Sequence, residues 1–148
     1  MQIADFISPE RVFVEFRARD KAHLLRELAS RLAPAADGIT TDTILAALRS
    51  REELGSTGLG RGFALPHARI EGLPGFVGLF ARLARPIDYD AIDGEPVDLV
   101  FPLLMPLDAS QNHVAALAAI SRRFRDAAAV ARLRRGDAAA AFAELTAG

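Results

Sequence analysis

Four glycines fall within eight positions, Gly55, Gly58, Gly60 and Gly62, and the run that holds them closes on Phe63-Ala-Leu-Pro66 and then His67. Glycine lets the backbone take φ > 0 and lets main-chain amides approach a ligand where a side chain would stand in the way. The stretch Phe63–Pro66 is too short for a helix and apolar enough for a buried strand, and Pro66 cannot donate to a ladder. His67 therefore lies just past a strand end, with a titratable, nucleophilic imidazole at the mouth of a pocket. The spacing does not fit a nucleotide cradle: the Lys-Ser/Thr pair of a Walker loop is missing, and no Gly-x-Gly-x-x-Gly follows a strand.

Composition narrows the function classes. The 148 residues, 51% of them hydrophobic, suit one domain over 1–148 with a substantial core. A net charge of −1 with no long run of one sign makes no electrostatic case for nucleic acid or a membrane surface, so the expected partners are proteins or small anions. The absence of cysteine excludes disulfides, iron–sulfur clusters and thiol nucleophiles. The start, Met-Gln-Ile-Ala-Asp, lacks the basic and apolar regions of a signal peptide, and a cytoplasmic location is the expectation. The most apolar segment, Val97 to Leu107, carries Asp98 and two prolines and falls far short of the ~20 residues of a spanning helix. It reads as an interior strand, and no membrane insertion is expected.

Asp20 can cap a helix in which Leu24, Leu25, Leu28 and Leu32 share a face, ending before Pro34. A second helix begins near Thr41, turns Ile44, Leu45 and Leu48 inward, carries Arg51 in its last turn and stops near Leu54 and Gly55. Strands are predicted at Val12–Arg17, Gly62–Leu65, Phe76–Leu83 and Val97–Met105. Ser110 can cap a helix to about Phe124, followed by a short helix over Ala127–Arg135, a stop at Gly136 and a last helix over Asp137–Thr146. Helices between strands indicate an α/β layer fold, with no internal repeat or flexible linker.

If Ser110 is the cap, His113 lies in the first helical turn, among unpaired amides at the positive end of the dipole. That setting favours an anion and disfavours imidazolium, so His113 is expected neutral, one ring nitrogen donating and the other accepting. Each histidine also has a purely structural reading: His113 as a helix cap, His67 as a strand-end residue bonded to a carbonyl, His23 as an exposed helix residue. A metal site lacks a third ligand beside His67 and His113, and the Gly-x-Ser-x-Gly elbow of a serine hydrolase is absent. No metal or cofactor is expected. The arginines at 122, 123, 125, 132, 134 and 135 are interrupted by Asp126 and Asp137 and alternate with no stacking aromatics, which favours a solvated or partner-facing surface over a nucleic-acid patch. Leu59, Phe63 and Leu65 could support a partner face, although strand alternation favours Phe63 and Leu65 as core.

The run Arg51-Glu-Glu-Leu-Gly-Ser-Thr-Gly-Leu-Gly-Arg-Gly-Phe-Ala-Leu-Pro-His67, the run Pro86-Ile-Asp-Tyr-Asp-Ala-Ile-Asp-Gly-Glu-Pro-Val-Asp98 and the His113 helix, in that order, closely resemble the enzyme IIA domain of the bacterial phosphotransferase system. Within it the chain looks like the fructose/mannitol class, and most like the nitrogen-regulatory branch. The resemblance implies a mixed β-sheet sandwiched by helices. It implies a phosphocarrier in which His67 accepts a phosphoryl group from a histidine-containing phosphocarrier protein, with His113 and Arg51 flanking that group. It implies regulated partners such as sensor kinases or potassium transporters, and, with no IIB or transporter segment in this chain, a stand-alone regulatory form over a sugar-uptake component that hands phosphate to a separate IIB. A binding module that keeps the fold without phosphorylation is the remaining alternative; the intact Arg51, His67 and His113 set weighs against it. Ala68 follows the histidine where many members carry glycine.

The chemistry fits without the resemblance. Phosphoryl transfer needs an in-line nucleophile and donors aimed at three equatorial oxygens as charge spreads over them. An imidazole supplies the first, and a guanidinium such as Arg51 supplies a planar, permanently charged fork.

Overall fold

The computed structural model describes residues 1–108 and 110–147, with Ser110 described by its backbone alone. Strand β1 (Val12–Phe16) leads into α1 (Lys21–Leu32), where the Asp20 side chain accepts from the His23 amide, and all four leucines of the predicted face are buried. Thr40 caps α2 (Thr41–Glu53) in the same way. Its Ile44 and Leu48 are fully buried.

Six strand segments and a hairpin partner then build two sheets. They are β2 (Gly58–Gly60), β3 (Phe63–Ala64), β4 (His67–Ile70), β5 (Val77–Gly78), β6 (Phe80–Ile87), β7 (Val97–Val100) and β8 (Leu103–Pro106). The larger sheet has the order β1-β6-β7-β3-β2 and the smaller β4-β8-β5. Both are mixed: β1/β6, β3/β7 and β4/β8 run parallel, while β2/β3, β6/β7 and β5/β8 run antiparallel. Three helices close the chain: α3 (Ser110–Arg125), α4 (Ala127–Leu133, capped by Asp126) and α5 (Ala138–Thr146, capped by Asp137). Capping by the Ser110 side chain lies outside the described residues.

Two predicted strands turn out to be two strands each, in different sheets. Phe76–Leu83 divides at Leu79 into β5 and β6, and Val97–Met105 divides at Phe101-Pro102 into β7 and β8. The Gly62–Leu65 strand shortens to β3 and is followed, across Leu65-Pro66, by β4, which the sequence did not suggest. All three crossings occur side by side. Phe101 N donates to Ala64 O, Leu103 N to Pro66 O, and Leu79 N to Pro102 O. Hydrogen bonding thus runs on through the break, while Pro66 and Pro102, which have no N–H to offer, mark where the ladder changes sheet. The apolar runs that span the breaks, Val77–Ala81 and Leu99–Met105, give no sign of this, because the residues on either side are buried on both faces.

Successive residues of these strands alternate between two cores. Ala64, Leu79, Ala81, Val97, Val100 and Leu104 face the core shared with α1 and α2. Phe63, Leu65, Phe80, Leu99, Phe101 and Leu103 face the core shared with α3, α4 and α5. The period-2 alternation therefore produces the predicted sandwich of helices around mixed sheet. Among the described residues no helix is long and apolar enough to cross a membrane.

Candidate functional site

The glycine run forms a tight hairpin and a close approach. Gly60 pairs with Phe63, and the two residues between them, Arg61 and Gly62, have φ of 56° and 81°, the pattern of a type I′ turn. Gly58 is required for space: a Cβ there would stand 2.8 Å from the Ala91 Cα. The hairpin thus lies flat on the β6–β7 connection, and its far strand ends in Pro66.

His67 opens β4, opposite Leu103 of β8, half-buried. Its Nδ1 lies 2.8 Å from Leu65 O. A carbonyl only accepts, so Nδ1 carries the proton and the lone pair is on Nε2, which accepts from Arg51 Nε at 3.4 Å. Arg51, in the last turn of α2, also donates through Nη1 to Gly55 O at 2.9 Å. Burial pushes the His67 imidazole below its ordinary pKa; the Leu65 carbonyl pulls the other way, and the Arg51 charge adds to the lowering. The site therefore presents a neutral imidazole with one oriented lone pair beside a guanidinium.

Beneath these two residues lies a buried polar cluster that the sequence reading did not single out. Glu52 accepts from Thr57 N at 3.1 Å through one oxygen and bonds Thr57 Oγ1 through the other, while Lys21 Nζ stands 2.9 Å from Glu52 Oε1. Tyr89 OH meets Thr57 Oγ1 at 3.1 Å, and Lys21 Nζ lies 4.4 Å from the Tyr89 ring centroid. Since the Thr57 proton goes to the carboxylate, the Tyr89 hydroxyl is the donor in their bond. Burial, then the nearby Glu52 charge, pushes the Tyr89 pKa up, which keeps that hydroxyl protonated. The signal was present in the sequence as a Glu next to the arginine and the chain's single tyrosine, but nothing in their spacing brings positions 21, 52, 57 and 89 together.

His113 is placed differently from His67. It is the fourth residue of α3, 2% exposed, and its Nε2 lies 2.6 Å from Pro106 O. Its ring stands edge-on to Phe76, and its Nδ1 is buried with no partner among the described residues. Pro106 pairs with Ile70, three residues along β4 from His67, about 10 Å on. Among the described residues His113 makes no hydrogen bond to His67 or Arg51. The structure thus joins Arg51 to His67 and leaves His113 bonded to the end of β8.

His23 is half-buried rather than exposed: its Nδ1 accepts from Arg19 N at 3.0 Å, closing the loop before α1. Two of the arginines flagged in the sequence, Arg123 and Arg132, pair with Glu144, and Arg134 grips Asp98 with two 2.9 Å bonds. Phe63 and Leu65 are core, whereas Leu59 is half exposed.

Residues 5–147 match the family model described as "Phosphoenolpyruvate-dependent sugar phosphotransferase system, EIIA 2". This chain belongs to that family. Among EIIA 2 relatives, the nitrogen regulatory protein of Bradyrhizobium diazoefficiens is 42% identical over 134 residues, covering 90% of this chain and 87% of the relative. The crystal structure of the nitrogen regulatory protein IIA-Ntr from Neisseria meningitidis superposes with a TM-score of 0.93 at 31% identity, covering 97% of this chain and 99% of that one. An Escherichia coli IIA mannitol protein, in complex with phosphorylated IIB mannitol, shares the fold with a TM-score of 0.78 at 18% identity over 96% and 97% of the two chains. The family and branch read from the Arg51–His67 run, the 86–98 run and the His113 helix are those of the two nitrogen regulatory relatives, and the mixed-sheet fold is shared with the mannitol protein as well.

Proposed function

We propose that this EIIA 2 protein is a nitrogen-regulatory phosphocarrier, taking a phosphoryl group on His67 Nε2 from a histidine-containing phosphocarrier protein and signalling its phosphorylation state to partner proteins. The observation that carries the reading is the hydrogen bond from Nδ1 to Leu65 O, which fixes the proton on one side of the ring and the lone pair on the other. Nε2 attacks phosphorus, the donor's P–N bond breaks, and its electron pair returns to the donor nitrogen. The proton stays on Nδ1, donated to Leu65 O, throughout. In the resting state Arg51 Nε–H occupies the lone pair of Nε2; when the N–P bond forms, that donor turns to a phosphoryl oxygen, and the positive fork meets the negative charge.

His113 enters as the second flanking residue. With Nε2 bound to Pro106, it reaches a phosphoryl oxygen only by taking a second proton on Nδ1 or by turning away from that carbonyl. The donor docks over the glycine hairpin, where the apolar side chains of Leu54, Leu59 and Ile92 are exposed and Ile92 N bonds Gly58 O. Nitrogen-regulatory relatives at high coverage support regulation over sugar uptake, since the mannitol likeness is one of fold.

Incubation with the histidine-containing phosphocarrier, its loading enzyme and phosphoenolpyruvate should add a single acid-labile phosphate, and His67→Ala should take up none. Undiminished labelling of His67→Ala removes His67 as acceptor.

A further inference from the structure

The hydrogen bonds around His67 close into a ring, and Glu52 belongs to it twice. In one direction the Glu52 carboxylate takes Thr57 N, Thr57 O takes Leu65 N at 2.9 Å, and Leu65 O takes His67 Nδ1 at 2.8 Å. In the other, Glu52 O takes Gly55 N at 3.1 Å, Gly55 O takes Arg51 Nη1 at 2.9 Å, and Arg51 Nε reaches His67 Nε2. Both nitrogens of the imidazole are therefore oriented by chains that start from one residue.

We propose that Glu52 is a positioning residue for phosphoryl transfer, its buried carboxylate holding Thr57 so that Leu65 fixes the His67 tautomer while the same turn holds Arg51 in place. The inference rests on His67 being the acceptor. The carboxylate is itself held on its other sides: Lys21 pairs with it, and Tyr89 locks Thr57 from below and spans to the loop through its own carbonyl, which accepts Ser56 Oγ at 3.0 Å. The Glu52 side chain is 7% exposed and Thr57 1%, so loss of the carboxylate leaves a buried amide and hydroxyl without that acceptor, a cost that the 55–57 loop relieves by moving. Movement of Thr57 shifts Leu65, and with it the proton that determines which ring nitrogen is the nucleophile. Among the described residues, the ionisable groups facing this knot and the His67 ring are Lys21, Arg51, His67 and Tyr89, with Arg69 lowering the His67 pKa from two residues along β4.

The test compares Glu52→Ala, Glu52→Gln and the wild type by ¹⁵N NMR of the His67 ring in the unphosphorylated full chain, and by the rate of phosphate uptake from the loaded phosphocarrier. Glu52→Ala should show a mixture of the two His67 tautomers in place of the Nδ1–H form and take up phosphate roughly 10²-fold more slowly, the scale of a small misplacement of a reacting group. Glu52→Gln, which can still accept from Thr57 N, should restore the Nδ1–H tautomer; without the carboxylate's charge, its His67 should titrate lower than in the wild type. Wild-type tautomer and rate in Glu52→Ala overturn the proposal. If Glu52→Ala does not fold, Glu52→Gln decides, and an unshifted His67 titration there overturns it too. A wild-type protein that takes no phosphate refutes the phosphocarrier reading instead, and the tautomer measurement still stands on its own.

Discussion

Arg51 Nε lies 3.4 Å from His67 Nε2, and Arg51 Nη1 is bonded to Gly55 O, while Nη2 makes no hydrogen bond among the described residues. The guanidinium is thus pinned at one corner and open at another, ready to meet a phosphoryl oxygen without first breaking its anchor to the loop. Arg51→Gln keeps a neutral donor but removes the fork and its charge. Phosphate uptake by that variant should fall by roughly 10²-fold, the effect of removing one preorganised donor from a developing anion. A rate within a factor of two or three of the wild type in a rapid-quench assay would remove Arg51 from the transfer step.

The His67 imidazole should titrate below the ordinary histidine value, with burial as the first cause. Because its folded pKa is lowered, the unfolded chain binds the proton first as pH falls through about 6.5. His67 therefore lowers stability between that value and its own lower midpoint, and contributes no pH dependence above it. Removing it by His67→Gln should flatten the acid side of the Tm profile over this window. Phosphate uptake, which needs the free Nε2 lone pair, should decline only as pH falls through that lowered midpoint. A His67 NMR titration at or above the free-histidine value would contradict the burial argument.

His113→Ala should affect stability as well as transfer. It strips the donor from Pro106 O and opens a hole beside Phe76, in a position 2% exposed. The loss should be about 1–3 kcal/mol in a denaturation experiment, with slower phosphate uptake beside it. An unchanged midpoint would show that another group takes over the carbonyl.

Gly58→Ala should destabilise the protein by about 1–3 kcal/mol through overpacking. The added Cβ would meet Ala91 backbone at 2.8 Å, and backbone cannot rotate aside as a long side chain can. Ala91 follows Tyr89 by two residues, so the strain should also reach the buried knot and broaden the Tyr89 and Thr57 NMR signals. Equal thermal midpoints for Gly58→Ala and the wild type would show that the hairpin lifts away freely.

Much of this was legible before any coordinates. Asp20 caps the helix it was expected to cap, because a cap is a local bond between neighbours in sequence. The leucines of α1 bury together because a 3.6-residue period needs no distant information. Strands were placed but not divided. The breaks at Leu65-Pro66, Leu79 and Phe101-Pro102 depend on three chains crossing between sheets at one level, and an apolar run gives no local sign of that. Arg51 and His67 were singled out from the sequence and stand hydrogen-bonded; Lys21, Glu52, Thr57 and Tyr89 were not, since no periodic pattern links them.

The sequence alone determined where helices begin and end, which faces are apolar, and which residue types could carry phosphoryl chemistry, because those properties reside in short windows and in side-chain chemistry. Only the tertiary structure decided which nitrogen of His67 bears the proton, that His113 is turned to Pro106, and that Glu52 sits beneath the pair. Those outcomes depend on carbonyls and carboxylates supplied by segments far apart in the chain, and a hydrogen bond forms only once packing has brought its partners within about 3 Å.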